Sequence, residues 1–253
     1  MDLENKVIVI TGAARGLGAA MAKRLATHST KLGLIDLEES SLETTAAACQ
    51  KAGAEVATYG ADVSKEEDVV AVFDRVVADL GSLHGLINNA GITRDALMVK
   101  FKDGEVVSTM SLEQWQAVVD VNLTGAFLCG REAVRHMTDL GNEGVIINIS
   151  SISRAGNMGQ TNYSATKAGV QAMAVTWGKE LARYGIRAAF IAPGFINTEM
   201  VAGMKQEARD KLTAGIPLKR IGEPDQVAQA AEFIFQNDYF SGRGIELDGA
   251  LRM

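Results

Sequence analysis

Seven short β-branched runs, each separated from the next by a longer stretch of different periodicity, constrain this chain more than any other feature. They are "KVIVIT" (6–11), "KLGLI" (31–35), "EVATYG" (55–60), "LHGLINN" (83–89), "GVIINIS" (144–150), "IRAAFIAP" (186–193) and "GIEL" (244–247). Most are apolar on both faces, the pattern of parallel strands covered by helices from both sides. Between them, apolar residues recur at helical spacing over 17–28, 40–51, 65–79, 113–138, 161–184, 198–213 and 224–236. Ser64, ahead of an acidic first turn, and Ser111, two residues before Glu113, are candidate helix caps. Strand and helix repeating in this way, with right-handed crossovers, predict an α/β fold: a doubly wound, mostly parallel seven-stranded sheet with helices on both faces. One domain over 1–253 is expected, since no linker or low-complexity tract divides the 253 residues.

Charge and cysteine usage narrow the function classes. Twenty-five basic and 31 acidic residues leave a net charge of −6 with no basic run, which argues against nucleic acid or an anionic membrane as partner. The first apolar run is too short for a secretory segment or a membrane span, so a cytoplasmic location is expected. Cys49 and Cys129 lie in helical stretches without metal or redox spacing and read as buried thiols in a reducing compartment. No metal site is expected, and His28, His84 and His136 fall in no motif.

The first run opens into "TGAARGLG" (11–18), a glycine turn between a strand and a helix. Gly12 lets the chain turn out of the strand. Gly16 and Gly18, lacking Cβ, let a pyrophosphate approach the helix N-terminus, where free N–H groups and the dipole favour an anion. Asp36 closes the next run, where a carboxylate can accept hydrogen bonds from both hydroxyls of an adenosine ribose. Against a 2′-phosphate it would repel each charge by roughly 4 kcal/mol at ~4 Å and an effective dielectric of about 20. Arg15 would attract that phosphate, but it reads as a solvated arginine or a partner of Asp36 or Glu38, and a surface ion pair is worth only about 0–1 kcal/mol. NAD(H) is therefore the expected cofactor, with NADP(H) its competitor.

"NYSATKAG" places Tyr163 and Lys167 four residues apart, on one face of a helix. A phenol titrates near 10, and a neighbouring ammonium favours its anion, which suits moving a proton on or off a carbonyl oxygen. "VIINISS" ends a strand in Ser150 and Ser151, "LINNAG" ends another in Asn88 and Asn89, and Asn122 interrupts a long apolar helix. Strand ends of this kind are where such sheets bind ligands, and a polar residue inside an apolar helix needs a partner.

Taken together these motifs resemble the short-chain dehydrogenase/reductases over essentially the whole chain, which implies a Rossmann-type sheet. The T-G-x-x-x-G-x-G turn is Thr11–Gly18, N-N-A-G is Asn88–Gly91, the Asn–Ser–Tyr–Lys set is Asn122, Ser151, Tyr163 and Lys167, and the P-G after the sixth strand is Pro193–Gly194. The resemblance implies hydride transfer between a nicotinamide and a carbonyl or alcohol. In it Tyr163 is the acid/base, Ser151 orients the substrate oxygen, Lys167 binds ribose and lowers the tyrosine pKa, and Asn122 supports a relay water. The family's usual spacing selects Ser150 and strand register selects Ser151; adjacent strand side chains face opposite ways, so one serves, and Ser151 is taken. Implied cofactor contacts are Gly12, Arg15, Gly16, Leu17, Gly18, Asp36, Asp62, Val63, Asn89, Ala90, Gly91, Tyr163, Lys167, Pro193, Gly194, Ile196 and Thr198.

Within the family, "GITRDALM" (91–98), "GNMGQTNYSATKAG" (156–169) and "APGFINTEM" (192–200) are most similar to the 3-oxoacyl-[acyl-carrier-protein] reductases. The resemblance implies reduction of a small-molecule acyl thioester or another carbonyl, a substrate lid at about 195–215 containing the Met-rich 200–204, and a homotetramer. Three departures weigh against an acyl carrier protein as partner: neutral-to-acidic "TDLGNEG" before the serine strand, an insertion at about 102–111, and Ala250 in "DGALRM". Dehydrogenation of another secondary alcohol, of hydroxyacyl-CoA, sugar or steroid type, is the competing activity, and a non-enzymatic nucleotide sensor is disfavoured by the intact four-residue set.

Overall fold

The computed structural model describes residues 1–202 and 206–252. Its first half runs β1 (Val7–Thr11), α1 (Gly16–Ala26), β2 (Lys31–Asp36), α2 (Glu43–Lys51), β3 (Glu55–Gly60), α3 (Glu66–Leu80), β4 (Gly85–Asn88), β5 (Val99–Lys102), β6 (Glu105–Thr109), α4 (Leu112–Val119), a π-helical segment (Asp120–Thr124) and α5 (Gly125–Asp139). The second half runs β7 (Gly144–Ile149), α6 (Thr161–Glu180), β8 (Ile186–Pro193), α7 (Glu199–Ala202), α8 (Gln206–Gly215), α9 (Pro224–Gln236) and β9 (Gly244–Leu247).

Seven strands form one sheet in the order β3-β2-β1-β4-β7-β8-β9, every ladder of which is parallel. This is the expected doubly wound fold. Successive residues of β1 feed opposite faces: Ile8 and Ile10 join a core with Met21, Leu25, Ile234 and Phe235 of α1 and α9, while Val7 and Val9 join one with Phe73 and Val76 of α3. Both faces being buried is why the strands read as continuous apolar runs. Strand order reverses between β1 and β4, so the loops that follow them, Gly12 onward and Asn89–Gly91, diverge around a crevice at the carboxyl ends of the strands. Both cysteines are buried, and burial pushes the Cys49 thiol up to about 11 and Cys129 to about 12.

Several elements differ from the sequence reading. Ser111 caps α4 in a reciprocal box with Gln114, but Ser64 caps nothing: Lys65 holds the N-cap position of α3, and the Ser64 hydroxyl donates to Asp62 at 2.6 Å. The insertion is an antiparallel hairpin, β5–β6, exposed along its length and turned by Asp103 and Gly104, both with positive φ (52° and 85°). Two positive φ angles are what an Asp-Gly hairpin turn requires. The 113–138 helix is interrupted by the π-helical segment, and the 198–213 pattern is carried by α7 and α8. Residues 203–205, which include Gly203 and Met204 of the Met-rich stretch, lie outside the described residues. No helix among those described is long and apolar enough to cross a membrane.

Candidate active site

A cleft of about 720 Å³ occupies the crevice. Of the residues expected to hold a dinucleotide, Gly12, Arg15, Gly16, Leu17, Asp36, Asp62, Val63, Asn89, Ala90, Gly91 and Thr198 line it. Ile35, Leu37, Ala61, Ile92, Val121 and Glu199 also line it. Each of these six adjoins an expected position or its strand end, the signal from which they could have been found. Pro193 and Ile196 are buried beneath the wall, and Gly194 packs against Asp248.

Helix α1 opens onto this cleft with no side chain capping its N-terminus and no acidic residue in its first turn. Its leading N–H groups are therefore available to an anion, reinforced by the dipole. The glycines divide the work differently from expectation. At Gly16 (φ +56°) a Cβ would meet only Thr198 Cγ2, at 3.7 Å, so its α-carbon faces the open cleft. At Gly18 a Cβ would overlap the Gly12 carbonyl oxygen, so this glycine lets helix and turn pack against each other and does not face the cleft. Gly18→Ala is thus expected to cost about 3 kcal/mol of stability through overpacking. Gly16→Ala should cost about 1–2 kcal/mol through its left-handed backbone while mainly weakening dinucleotide binding. Thermal unfolding and dinucleotide titration of both variants check this division; equal stability losses would contradict it.

Asp36 is pinned. Its Oδ2 accepts the Ala14 N–H at 3.0 Å, and its Oδ1 accepts the Leu37 N–H at 2.9 Å, so backbone groups fix the carboxylate at the rim with lone pairs to spare. Arg15 pairs with neither Asp36 nor Glu38 among the described residues; it stands 80% exposed and 3.6 Å from Glu199. Thr11 Oγ1 accepts the N–H groups of Asn89 and Ala90 at 3.0 and 3.1 Å, and Asn89 donates to the Thr11 and Gly12 carbonyls. The two loops flanking the crevice are thereby locked together. The uncapped helix end, the glycine left open to the cleft and a fixed carboxylate at the ribose position fit a dinucleotide.

Beyond the dinucleotide cleft stand the four remaining candidates. Lys167, buried, donates to the Ile149 carbonyl at 2.8 Å and lies 5.5 Å from the centroid of the Tyr163 ring. A Cβ added to Gly91 would stand 3.3 Å from Asn122 Oδ1 and 3.6 Å from Lys167 Nζ, so all three share one space. Asn122, in the π-helical segment, clamps Ile92, accepting its N–H at 2.8 Å and donating to its carbonyl at 2.9 Å. The two serines diverge as strand alternation demands. Ser150 is buried and donates to the Lys167 carbonyl at 2.7 Å, whereas Ser151 is partly exposed, accepts the Ser153 N–H and faces the Tyr163 phenol.

Burial dominates the electrostatics of the free site. Burial pushes the Tyr163 phenol above its ordinary value, with the Ser151 hydroxyl opposing and the Asp95 carboxylate adding to the rise. Burial also pushes the pKa of Lys167 down to about 8, which leaves it largely an ammonium near neutral pH. A desolvated ammonium with a single carbonyl partner is itself driven toward neutrality.

A sequence profile described as short chain dehydrogenase matches residues 6–209. A 3-oxoacyl-[acyl-carrier-protein] reductase of Thermotoga maritima is 39% identical over 99% of both chains. An acetoacetyl-CoA reductase of Synechocystis sp. is 37% identical over 99% of this chain and 98% of its own. The fold is similar to that of a short-chain type dehydrogenase/reductase from Mycobacterium marinum, with a TM-score of 0.89 at 28% identity over 98% of this chain and 96% of that one.

Proposed function

We propose that this chain, which belongs to the short chain dehydrogenase family and with it binds a nicotinamide dinucleotide, reduces 3-oxoacyl thioesters to 3-hydroxyacyl thioesters with NADH. The observation that carries the chemistry is the convergence of Ser151, Tyr163, Lys167 and Asn122 next to the dinucleotide cleft. The thioester class is supported by the names of the two relatives, each matched over almost its full length.

Bound nicotinamide supplies the hydride. The chain supplies the proton and the geometry. Ser151 donates a hydrogen bond to the substrate carbonyl oxygen and so holds it beside the Tyr163 phenol. Tyr163 donates its proton to that oxygen as negative charge develops on it; a raised pKa keeps the phenol protonated, the form a reductase needs at the start of the cycle. Lys167, held by the Ile149 carbonyl, stands where its ammonium stabilises the phenolate left behind. Asn122 fixes Ile92 in the wall of the cleft. Residues at about 195–215 serve as the substrate lid, and Thr198 contacts the cofactor from its base.

Asp36 supports NADH over NADPH. Two backbone N–H groups prevent it from swinging away, so a 2′-phosphate would meet a carboxylate fixed in place. The same residue supports the competing reading, oxidation of another secondary alcohol, since an NAD-linked site serves oxidation equally well. A substrate panel decides between them. Turnover of acetoacetyl-CoA well above that of sugar or steroid alcohols offered with NAD⁺ is expected; the reverse order would replace the thioester reading with the alcohol one.

A further inference from the structure

Residues Ile92–Ala96, after the Asn89–Gly91 loop that follows β4, form a strap without helix or strand that ends in a bridge between Ala96 and Gln160. Asn122 clamps the strap at Ile92, and at its far end the Ala96 N–H donates to the Gly159 carbonyl at 2.9 Å. Between these anchors stands Asn162, immediately before Tyr163 and fully buried at 0% exposure. Its amide nitrogen donates to the Arg94 carbonyl at 3.0 Å and to the Gln114 carbonyl at 3.0 Å, while its Oδ1 accepts the Tyr163 N–H at 2.8 Å. That N–H belongs to the first turn of α6, which has no partner for it within the helix. One side chain, with both of its amide hydrogens committed, therefore joins the strap, the first turn of α4 and the first turn of α6.

We propose that Asn162 is a positioning residue for the reaction, buckling the strap and α4 to the first turn of α6 and so fixing where the Tyr163 phenol stands relative to Ser151 and the substrate. The proposal rests on the reading of Tyr163 as acid/base. The other strap contact near Tyr163, Gln160 to Asp95 at 2.9 Å, is exposed to water and holds the strap far less firmly than a buried, fully satisfied amide. Displacing a reacting group by about 1 Å can cost on the order of 10²-fold in rate, so an anchor next to the phenol has leverage on turnover that it lacks on dinucleotide binding. The strap also carries Asp95, whose negative charge acts on the Tyr163 phenol alongside Ser151 from the end of β7 and Lys167 from the next turn of α6. A released strap is expected to carry that carboxylate away from the phenol.

The test is Asn162→Ala in the full chain, with Asn162→Ser as the second variant should alanine fail to fold. We expect kcat per folded molecule to fall about 10- to 100-fold while the dissociation constant for the dinucleotide stays within about twofold. The alkaline limb of the kcat/KM profile should move to lower pH, because a phenol relieved of a nearby negative charge ionises more readily. Independently of activity, amide hydrogen exchange should quicken in the peptide spanning 92–98 while the central strands stay protected. Unchanged exchange there, unchanged kcat per folded molecule, or a parallel loss of dinucleotide affinity would each overturn the proposal. A wild-type protein inactive on every 3-oxoacyl thioester would instead remove the acid/base reading and leave the exchange result standing by itself.

Discussion

Tyr163→Phe will lower turnover by about 10²–10⁴-fold, the range that a positioned general acid supplies, and will leave dinucleotide affinity unchanged. Phenylalanine keeps the ring, its packing and its distance from Lys167, and removes only the hydroxyl that faces Ser151. The dinucleotide cleft is walled by the loops after β1, β2, β3 and β4, by Val121 of the π-helical segment and by Thr198 and Glu199, and Tyr163 is not among its lining residues. Dinucleotide titration alongside steady-state kinetics separates the two effects. Turnover within about tenfold of wild type would mean that another group delivers the proton, because general acid–base catalysis rarely contributes so little.

Lys167→Met should abolish turnover and yet stabilise the fold. In the wild type an ammonium is held in a buried site with one carbonyl partner, and burial pushes its pKa down to about 8. Against an ordinary lysine value near 10.4, at about 1.4 kcal/mol per unit, that burial costs roughly 3 kcal/mol of stability at pH 7. Methionine removes the charge and gives up one hydrogen bond worth about 1 kcal/mol, leaving a net gain of about 1–2 kcal/mol and a rise in Tm of about 2–8 °C. The pH dependence identifies the cause. Between about pH 8 and 10.4 the unfolded chain binds more protons than the folded one, so wild-type stability climbs with pH and the gap between the two proteins should close across that window. A gap that stays constant with pH, or a methionine variant less stable at pH 7, would show that the buried ammonium carries no such penalty.

What could be read from the sequence was local. Tyr163 and Lys167 declare themselves by helical spacing, the glycine turn by its place between strand and helix, and Asp36 by closing an apolar run. Strand alternation separated Ser150 from Ser151 because facing is fixed by the pleat. The hairpin was written in the sequence as well: "KFKDGEVV" alternates around an Asp-Gly pair, the strongest short-range hairpin signal, although the segment reads as a plain insertion until its pairing is seen.

The rest depends on where distant segments meet. Nothing in "RGLG" says that the Gly18 α-carbon faces the Gly12 carbonyl while Gly16 faces the cleft. The π-helical segment falls inside a stretch that reads as one helix, 113–138, so periodicity does not announce it. The partners of Asn162 lie 68 and 48 residues away, beyond any periodicity window. The direction of the Tyr163 shift turns on burial, to which the spacing of tyrosine and lysine is blind. Sequence named the candidate groups, and packing decides which of them meet.

The most direct test offers acetoacetyl-CoA to the purified protein with NADH and NADPH in parallel at matched concentrations and follows dinucleotide oxidation by absorbance. The fixed Asp36 carboxylate and the Ser151–Tyr163–Lys167 site predict oxidation of both, with kcat/KM for NADH higher by at least about tenfold, equivalent to 1.4 kcal/mol. A preference for NADPH would contradict the role given to Asp36 and hand the 2′-phosphate to Arg15. Binding of both dinucleotides with oxidation of neither would contradict the reduction of 3-oxoacyl thioesters itself.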